Sequence, residues 1–222
     1  MTDTTTTCTG EHPANQPHPD PQSLDWAPRR ATCAFGPAEL DALPYVGRFE
    51  IIEGALLVSH RPTLAHQAIA TELATLLGQH RPDDLRVLTG PVDFRPSEWV
   101  SLQPDVLVCH RDDLGRHILE HPPFLAVEIL SSATRTTDTT LKPSLYEKAG
   151  VDSYWMLDPT EQTLTVLELV NGQYAERAVV TGGEVFTADL PFPVEVVPGR
   201  LTDHPSQREH DPTAKTGTDA EA

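Results

Sequence analysis

Three ionisable residues stand where packing rules alone would not put them: Asp105, Glu128 and Lys142. Glu128 sits inside the otherwise apolar run Phe124-Leu125-Ala126-Val127-Glu128-Ile129-Leu130. Strand alternation places Ala126, Glu128 and Leu130 on one face. A glutamate in such a run is rarely buried unless it is paired with a cation or bound to a metal. An arginine partner or a wet sheet edge satisfies it as well, because structural ion pairs are common. Asp105 opens a second apolar run in Gln103-Pro104-Asp105-Val106-Leu107-Val108. Alone it reads as a turn residue after proline. With Glu128 it makes two acids on successive buried strands, converging at one end of a sheet. Mg2+ takes one or two carboxylates and keeps several waters; bound there, it polarises a phosphoryl oxygen and activates a water nucleophile. This reading expects the two carboxylates on one side of the sheet, roughly 4 to 6 Å apart. Lys142 is one of only three lysines, with Lys148 and Lys215. Beside a metal-bound water it would orient that water and offset charge developing on phosphate. The alternative is a solvated helix residue.

The elements that must position these residues are legible from periodicity. Phe49, Ile51 and Ile52, then Leu56, Leu57 and Val58, flank Glu53-Gly54 and read as a tight hairpin. Thr63 to His80 carries Ala65, Ile69, Leu73, Leu76 and Leu77 at helical spacing, with Arg81-Pro82 as its stop. Arg86 to Phe94, Val106 to Cys109 and Phe124 to Leu130 read as strands. A helix follows, ending at Ala149 with Gly150 as its cap. Ser153 to Leu157 is a further strand, and Leu164 to Val170 with Gln173 to Val180 flank Asn171-Gly172, a second hairpin. Val194 to Val197 adds a last short strand. Helices interleaved with apolar strands predict a layered α/β or α+β domain around one sheet. Its expected limits are 31–200. The Thr-, Pro-, His- and Asp-rich residues 1–30 and the similar stretch 201–222 read as disordered tails.

Composition bounds the function. The chain of 222 residues carries 16 basic and 33 acidic residues, a formal charge of -17 at pH 7. Most of that deficit lies inside the expected domain. Such a domain is an awkward partner for DNA, whose affinity comes largely from Lys and Arg on phosphates; bound metal ions soften the conflict. Cys8, Cys33 and Cys109 are odd in number and widely spaced, which excludes a disulfide framework and a four-cysteine zinc site. Cys109, His110, His117 and His121 fit no strong zinc spacing and read as a polar loop. No apolar run is long enough to cross a bilayer, and the N-terminus has no secretory apolar region. A cytoplasmic protein is expected.

Beyond these signals, an ordered set of short strings runs along the chain: Phe49-Glu50-Ile51-Ile52-Glu53-Gly54, His66, Pro91-Val92-Asp93, Gln103-Pro104-Asp105, Val127-Glu128-Ile129-Leu130-Ser131, Asp138, Lys142, Tyr146, Gly150-Val151, and Tyr154-Trp155 with Asp158. Together, over about Pro44 to Gly199, they resemble the bacterial putative restriction endonuclease family of the PD-(D/E)xK nuclease superfamily. The resemblance implies a restriction-endonuclease-like fold, a central mixed β-sheet flanked by helices with additional hairpins. It implies Asp105 as the motif aspartate and Glu128 as the second acid, the two together holding metal. The usual lysine two residues further on is replaced by Leu130; Lys142, on the following helix, matches a displaced lysine. Asp138, one helical turn earlier, would start that helix or support the site. Pro143 places Lys142 at the helix start, since proline is tolerated only in the first turn. Ala55 stands where the hairpin motif often has glutamate. Glu50 is read as a further acid near the metal and His66 as a hydrogen-bonded structural residue.

The activity implied is that of a Mg2+-dependent endodeoxyribonuclease, with Mn2+ as a substitute and Asp105, Glu128 and Lys142 as catalytic residues. DNA binding is expected to be weak and metal-dependent, and a homodimer is compatible with the family. The alternative is a catalytically silent nuclease-fold protein acting as a protein-binding module, which the acidic charge favours. A hydrolase of another phosphorylated substrate is a third reading, because fold does not fix function.

Overall fold

The Glu128 run does form a buried strand, and it lies in the middle of the largest sheet. The computed structural model describes residues 35–41, 48–59 and 61–202, all of them within the unit Ala34–Ala222. The tails expected at 1–30 and 201–222 lie outside the described residues, except that Leu201 and Thr202 close a short helix and are buried.

Along the chain, α1 (Pro37–Asp41) precedes the hairpin of β1 (Arg48–Ile52) and β2 (Ala55–Ser59). Helix α2 (Leu64–His80) follows, then β3 (Leu85–Thr89), β4 (Phe94–Ser97), β5 (Val100–Leu102), β6 (Val106–His110) and β7 (Leu125–Ile129). Helix α3 (Lys142–Ala149) leads to β8 (Ser153–Asp158), the hairpin of β9 (Thr163–Val170) and β10 (Gln173–Thr181), a ribbon of β11 (Phe186–Ala188) and β12 (Val194–Val196), and α4 (Pro198–Thr202). The main sheet has the order β10-β9-β8-β7-β6-β3. It is mixed: β7 and β8 run parallel, joined by the crossover through α3, and the other neighbours are antiparallel. A second sheet has the order β2-β1-β5-β4.

Alternation divides β6 and β7 between two cores. Val106, Val108, Leu125, Val127 and Ile129 face Ile69, Ala70, Leu73 and Leu77 of α2. Leu107, Cys109 and Ala126 face the other way, onto Leu145 and Tyr146 of α3 and onto Phe94 and Leu102 of the second sheet. By the same parity, Asp105 and Glu128 belong to this second face. They therefore lie where α3 and the second sheet meet the main one.

Local signals set the boundaries. Thr63 caps α2, its Oγ1 accepting from His66 N at 3.2 Å. Gly150 ends α3 in the left-handed region at φ 81°. Asn171 and Gly172 both have positive φ, as the two-residue hairpin turn requires. The continuous strand expected over 86–94 is broken. Its first half pairs with β6 in the main sheet, and Phe94 starts β4 in the other. The break falls at Gly90-Pro91, where Gly90 packs on the backbone of Pro104 and Pro91 lacks a donor for a ladder. Val194–Val196 does form a strand, paired with β11, a partner that periodicity does not reveal. No helix among the described residues is long and apolar enough to cross a membrane.

Cys109 points into the second core and is 2% exposed, and burial pushes its thiol up to about 11. In the native protein Cys109 is expected to resist alkylation at about pH 8 and to react only after unfolding. Peptide mass spectrometry of iodoacetamide-treated samples checks this. Native-state labelling of Cys109 would contradict the packing.

Candidate functional site

Four carboxylates and two cations share one buried cluster, and they arrive from separate pieces of backbone. Strand β1 contributes Arg48 and Glu50, two residues apart and so on one face. Pairing of β1 with β5 brings Glu50 against the chain just past β5, where Gln103 N donates to Glu50 Oε1 at 2.8 Å. Asp105 immediately precedes β6, held beside β7 by its own N–H to Val127 O at 2.9 Å. Glu128 comes from β7. Asp138 lies in a π-helical turn, Thr137–Leu141, and Lys142 follows as the first residue of α3. Pro143 occupies the first turn of that helix, where proline is tolerated.

The ammonium of Lys142 is the centre of one half of the cluster. Its Nζ donates to Glu128 Oε1 at 2.8 Å and lies 2.9 Å from Glu50 Oε1 and 3.1 Å from Asp138 Oδ1. Lys142, Glu50, Glu128 and Asp138 are each 1% exposed. Tyr146, one turn along α3, donates to Glu128 Oε1 at 3.0 Å, and Tyr154 ties down the π-helical turn by donating to the Asp138 carbonyl at 2.8 Å. Lys142 is thus no solvated helix residue. Its protons are directed at carboxylates.

Arg48 organises the other half. Its Nη1 lies 2.5 Å from Asp105 Oδ1, and its Nη2 lies 3.5 Å from Glu128 Oε2 while donating to Gln103 O at 2.6 Å. Asp105 Oδ2 accepts from Ile129 N at 2.7 Å and has His66 Nε2 at 3.2 Å. Each acid therefore commits one oxygen to the scaffold and turns the other to Arg48: Oδ1 of Asp105 and Oε2 of Glu128. Arg48 and His66, with side chains 20% and 13% exposed, lie nearest to solvent.

The electrostatics follow from burial. Four carboxylates against two cations leave two formal negative charges in a desolvated space. Burial pushes the Glu128 carboxyl well above the ordinary carboxylate range despite the pull of Lys142, and burial raises Asp138 as well. Burial also acts to raise Asp105, but the hydrogen bond with His66 and the charge of Arg48 hold it below its ordinary value. The surrounding carboxylates keep Lys142 and Arg48 firmly protonated against the cost of burial. Among the described residues no three Asp, Glu, His or Cys side chains are gathered so as to hold a metal ion.

The three residues singled out by sequence, Asp105, Glu128 and Lys142, are brought together, and Glu50, His66 and Asp138 join them. Sequence reasoning misses Arg48. Its position two residues before Glu50 on the same strand face is the signal that could have found it. Cys109 and His110 fall on opposite faces of β6, and His110 packs edge-on against Phe124. Gly90 fixes the height of Asp105. A Cβ there would lie 2.8 Å from Pro104 O, and Gly90 N donates to Asp105 O at 2.9 Å. Gly90→Ala is expected to cost about 1–3 kcal/mol through this backbone clash, read as a lower midpoint in urea unfolding. An unchanged midpoint would show that the loop yields freely.

Comparison with known proteins bears on the family and the fold. Residues 37–202 match the family described as “Putative restriction endonuclease” (Uma2). A crystal structure of a putative nuclease from Anabaena variabilis ATCC 29413 aligns with a TM-score of 0.64 and 23% identity, covering 76% of this chain and 97% of that one. At that identity the likeness is one of fold. No curated protein matches the chain. The match spans the hairpin that carries Arg48 and Glu50, both acidic strands and the helix that begins at Lys142, and the chain belongs to the putative restriction endonuclease family.

Proposed function

We propose that this protein is a divalent-metal-dependent endonuclease that hydrolyses phosphodiester bonds in DNA, with Mg2+ as its metal and Mn2+ as a substitute. The observation that supports it is the pair of oxygens, Asp105 Oδ1 and Glu128 Oε2, both turned to one guanidinium. Two carboxylates that share one cation of the chain are suited to share a metal ion, and hard oxygen donors are what Mg2+ prefers. A bound ion there supplies a polarised phosphoryl oxygen and an activated water. Asp105 and Glu128 are its assigned ligands. Their second oxygens stay on Ile129 N, His66, Lys142 and Tyr146, which fixes the direction of the free ones. Lys142 is assigned to orient the attacking water and to offset charge growing on the phosphate. To meet a water it must release one of its carboxylates. Glu50 and Asp138 hold it beside Glu128.

The test is incubation of the purified protein with plasmid and oligonucleotide DNA in Mg2+, Mn2+ or EDTA. Cleavage with metal and none in EDTA is expected. A formal charge of -17 favours the second reading, a catalytically silent fold that binds a protein partner. Absence of cleavage with both metals, together with a melting temperature that neither metal changes, would favour it.

A further inference from the structure

The space between Asp105 Oδ1 and Glu128 Oε2 already holds a cation, and that cation belongs to the chain. We propose that Arg48 is a positioning residue with two alternative seats: between the two carboxylates without metal, and on a phosphate of the nucleic acid once a divalent ion takes its place. The proposal rests on the nuclease reading above and adds to it a competition between a side chain and the metal.

Three observations carry it. First, the oxygens that Arg48 contacts are those the two acids leave free of the scaffold. Exchanging the guanidinium for an ion disturbs none of the hydrogen bonds from Ile129, Lys142 or Tyr146. Second, Arg48 is incompletely satisfied where it is. Its Nε is buried with no hydrogen-bond partner among the described residues, and its contact with Glu128 is long, at 3.5 Å. Third, it is the most exposed charged member of the cluster, with a side chain 20% accessible against 1% for Lys142. That exposure puts the guanidinium on the solvent side of the cluster, and its planar fork matches a phosphate bidentately.

The competition has a definite consequence. Ion binding must first break the Arg48 contacts, so apparent metal affinity is lowered by whatever those contacts contribute. A phosphate that accepts the released guanidinium restores part of it, which couples metal binding to DNA binding and does so reciprocally.

The experiment is calorimetric titration of Mn2+ into the full chain, comparing wild type with Arg48→Ala and Arg48→Lys, each after its metal-free melting temperature is recorded. Metal-free Arg48→Ala should melt lower than wild type, and its Mn2+ affinity should rise by about tenfold or more. Arg48→Lys keeps a charge but cannot span both carboxylates, so its affinity should also exceed that of wild type; this variant decides the matter if the alanine form does not fold without metal. With Ca2+ in place of Mn2+, the affinity of Arg48→Ala for a short oligonucleotide should fall. Variants that bind Mn2+ no more tightly than wild type overturn the proposal and leave the nuclease reading standing. Failure of all three proteins to bind Mn2+ overturns both.

Discussion

Glu128→Gln is expected to leave the protein folded while reducing DNA cleavage by on the order of a thousandfold, about 4 kcal/mol of transition-state stabilisation. The amide is nearly isosteric, and its oxygen can still accept from Lys142 and Tyr146, which now meet Glu128 Oε1 at 2.8 and 3.0 Å. What changes is the oxygen turned towards Arg48, which is replaced by an uncharged NH2 group that can neither bind a metal ion nor accept from the guanidinium. Metal affinity and cleavage should therefore fall together, and removing a buried carboxylate from a cluster with surplus negative charge should not lower stability. Calorimetry with Mn2+, a cleavage assay and a melting curve on the same preparation read all three. A variant that still cuts at the wild-type rate would remove Glu128 from the site.

Lys142→Met should give the largest loss of stability in the domain. It strips the counter-cation from Glu50, Glu128 and Asp138, each 1% exposed. Breaking a buried pair by removing one partner costs about 3–5 kcal/mol, or roughly 10 °C in melting temperature for a domain of this size. The loss should depend on pH in a direction fixed by the carboxylates. Burial already raises Glu128 and Asp138 above their unfolded values. As pH falls towards the ordinary carboxylate range, the folded state takes up protons before the unfolded chain does, and the stranded charge is neutralised. The gap between Lys142→Met and wild type should narrow as pH falls and widen as it rises. Cleavage should be lost, whereas metal binding should persist in the folded variant, because lysine is not a ligand. Melting curves at several pH values check the sign. A difference that stays the same at every pH would mean that the three acids are not what the ammonium balances.

Much of this arrangement is legible in the sequence. The hairpin turns at Glu53-Gly54 and Asn171-Gly172, the cap at Gly150 and the α2 stripe are local signals, set by backbone preference and period. A carboxylate inside the Glu128 run announces a buried charge because so little else in that run is polar. What is not legible depends on contacts distant in sequence. Strand alternation assigns parity within β6 and β7, but only the β1–β5 pairing brings Glu50 and Arg48 to the same place. The one mark Arg48 carries, its place two residues before Glu50 on the same strand face, gains meaning only once Glu50 is known to lie in the cluster. The saturation of Lys142 by three acids likewise needs the π-helical turn, which sets Asp138 and Lys142 side by side. The break after Thr89 carries a local signal, Gly90 followed by a proline that cannot donate to a ladder; the close approach of Gly90 to Pro104 is not legible, because it depends on chain elsewhere in the sequence.

Whether Asp105 and Glu128 together hold one divalent ion is tested most directly by anomalous scattering from a crystal of the full chain grown with Mn2+. A single strong peak is expected between Asp105 Oδ1 and Glu128 Oε2, with the Arg48 guanidinium moved from the position it now occupies. Mn2+ at some other set of side chains, or no bound metal while Arg48 remains on both carboxylates, would contradict the shared site.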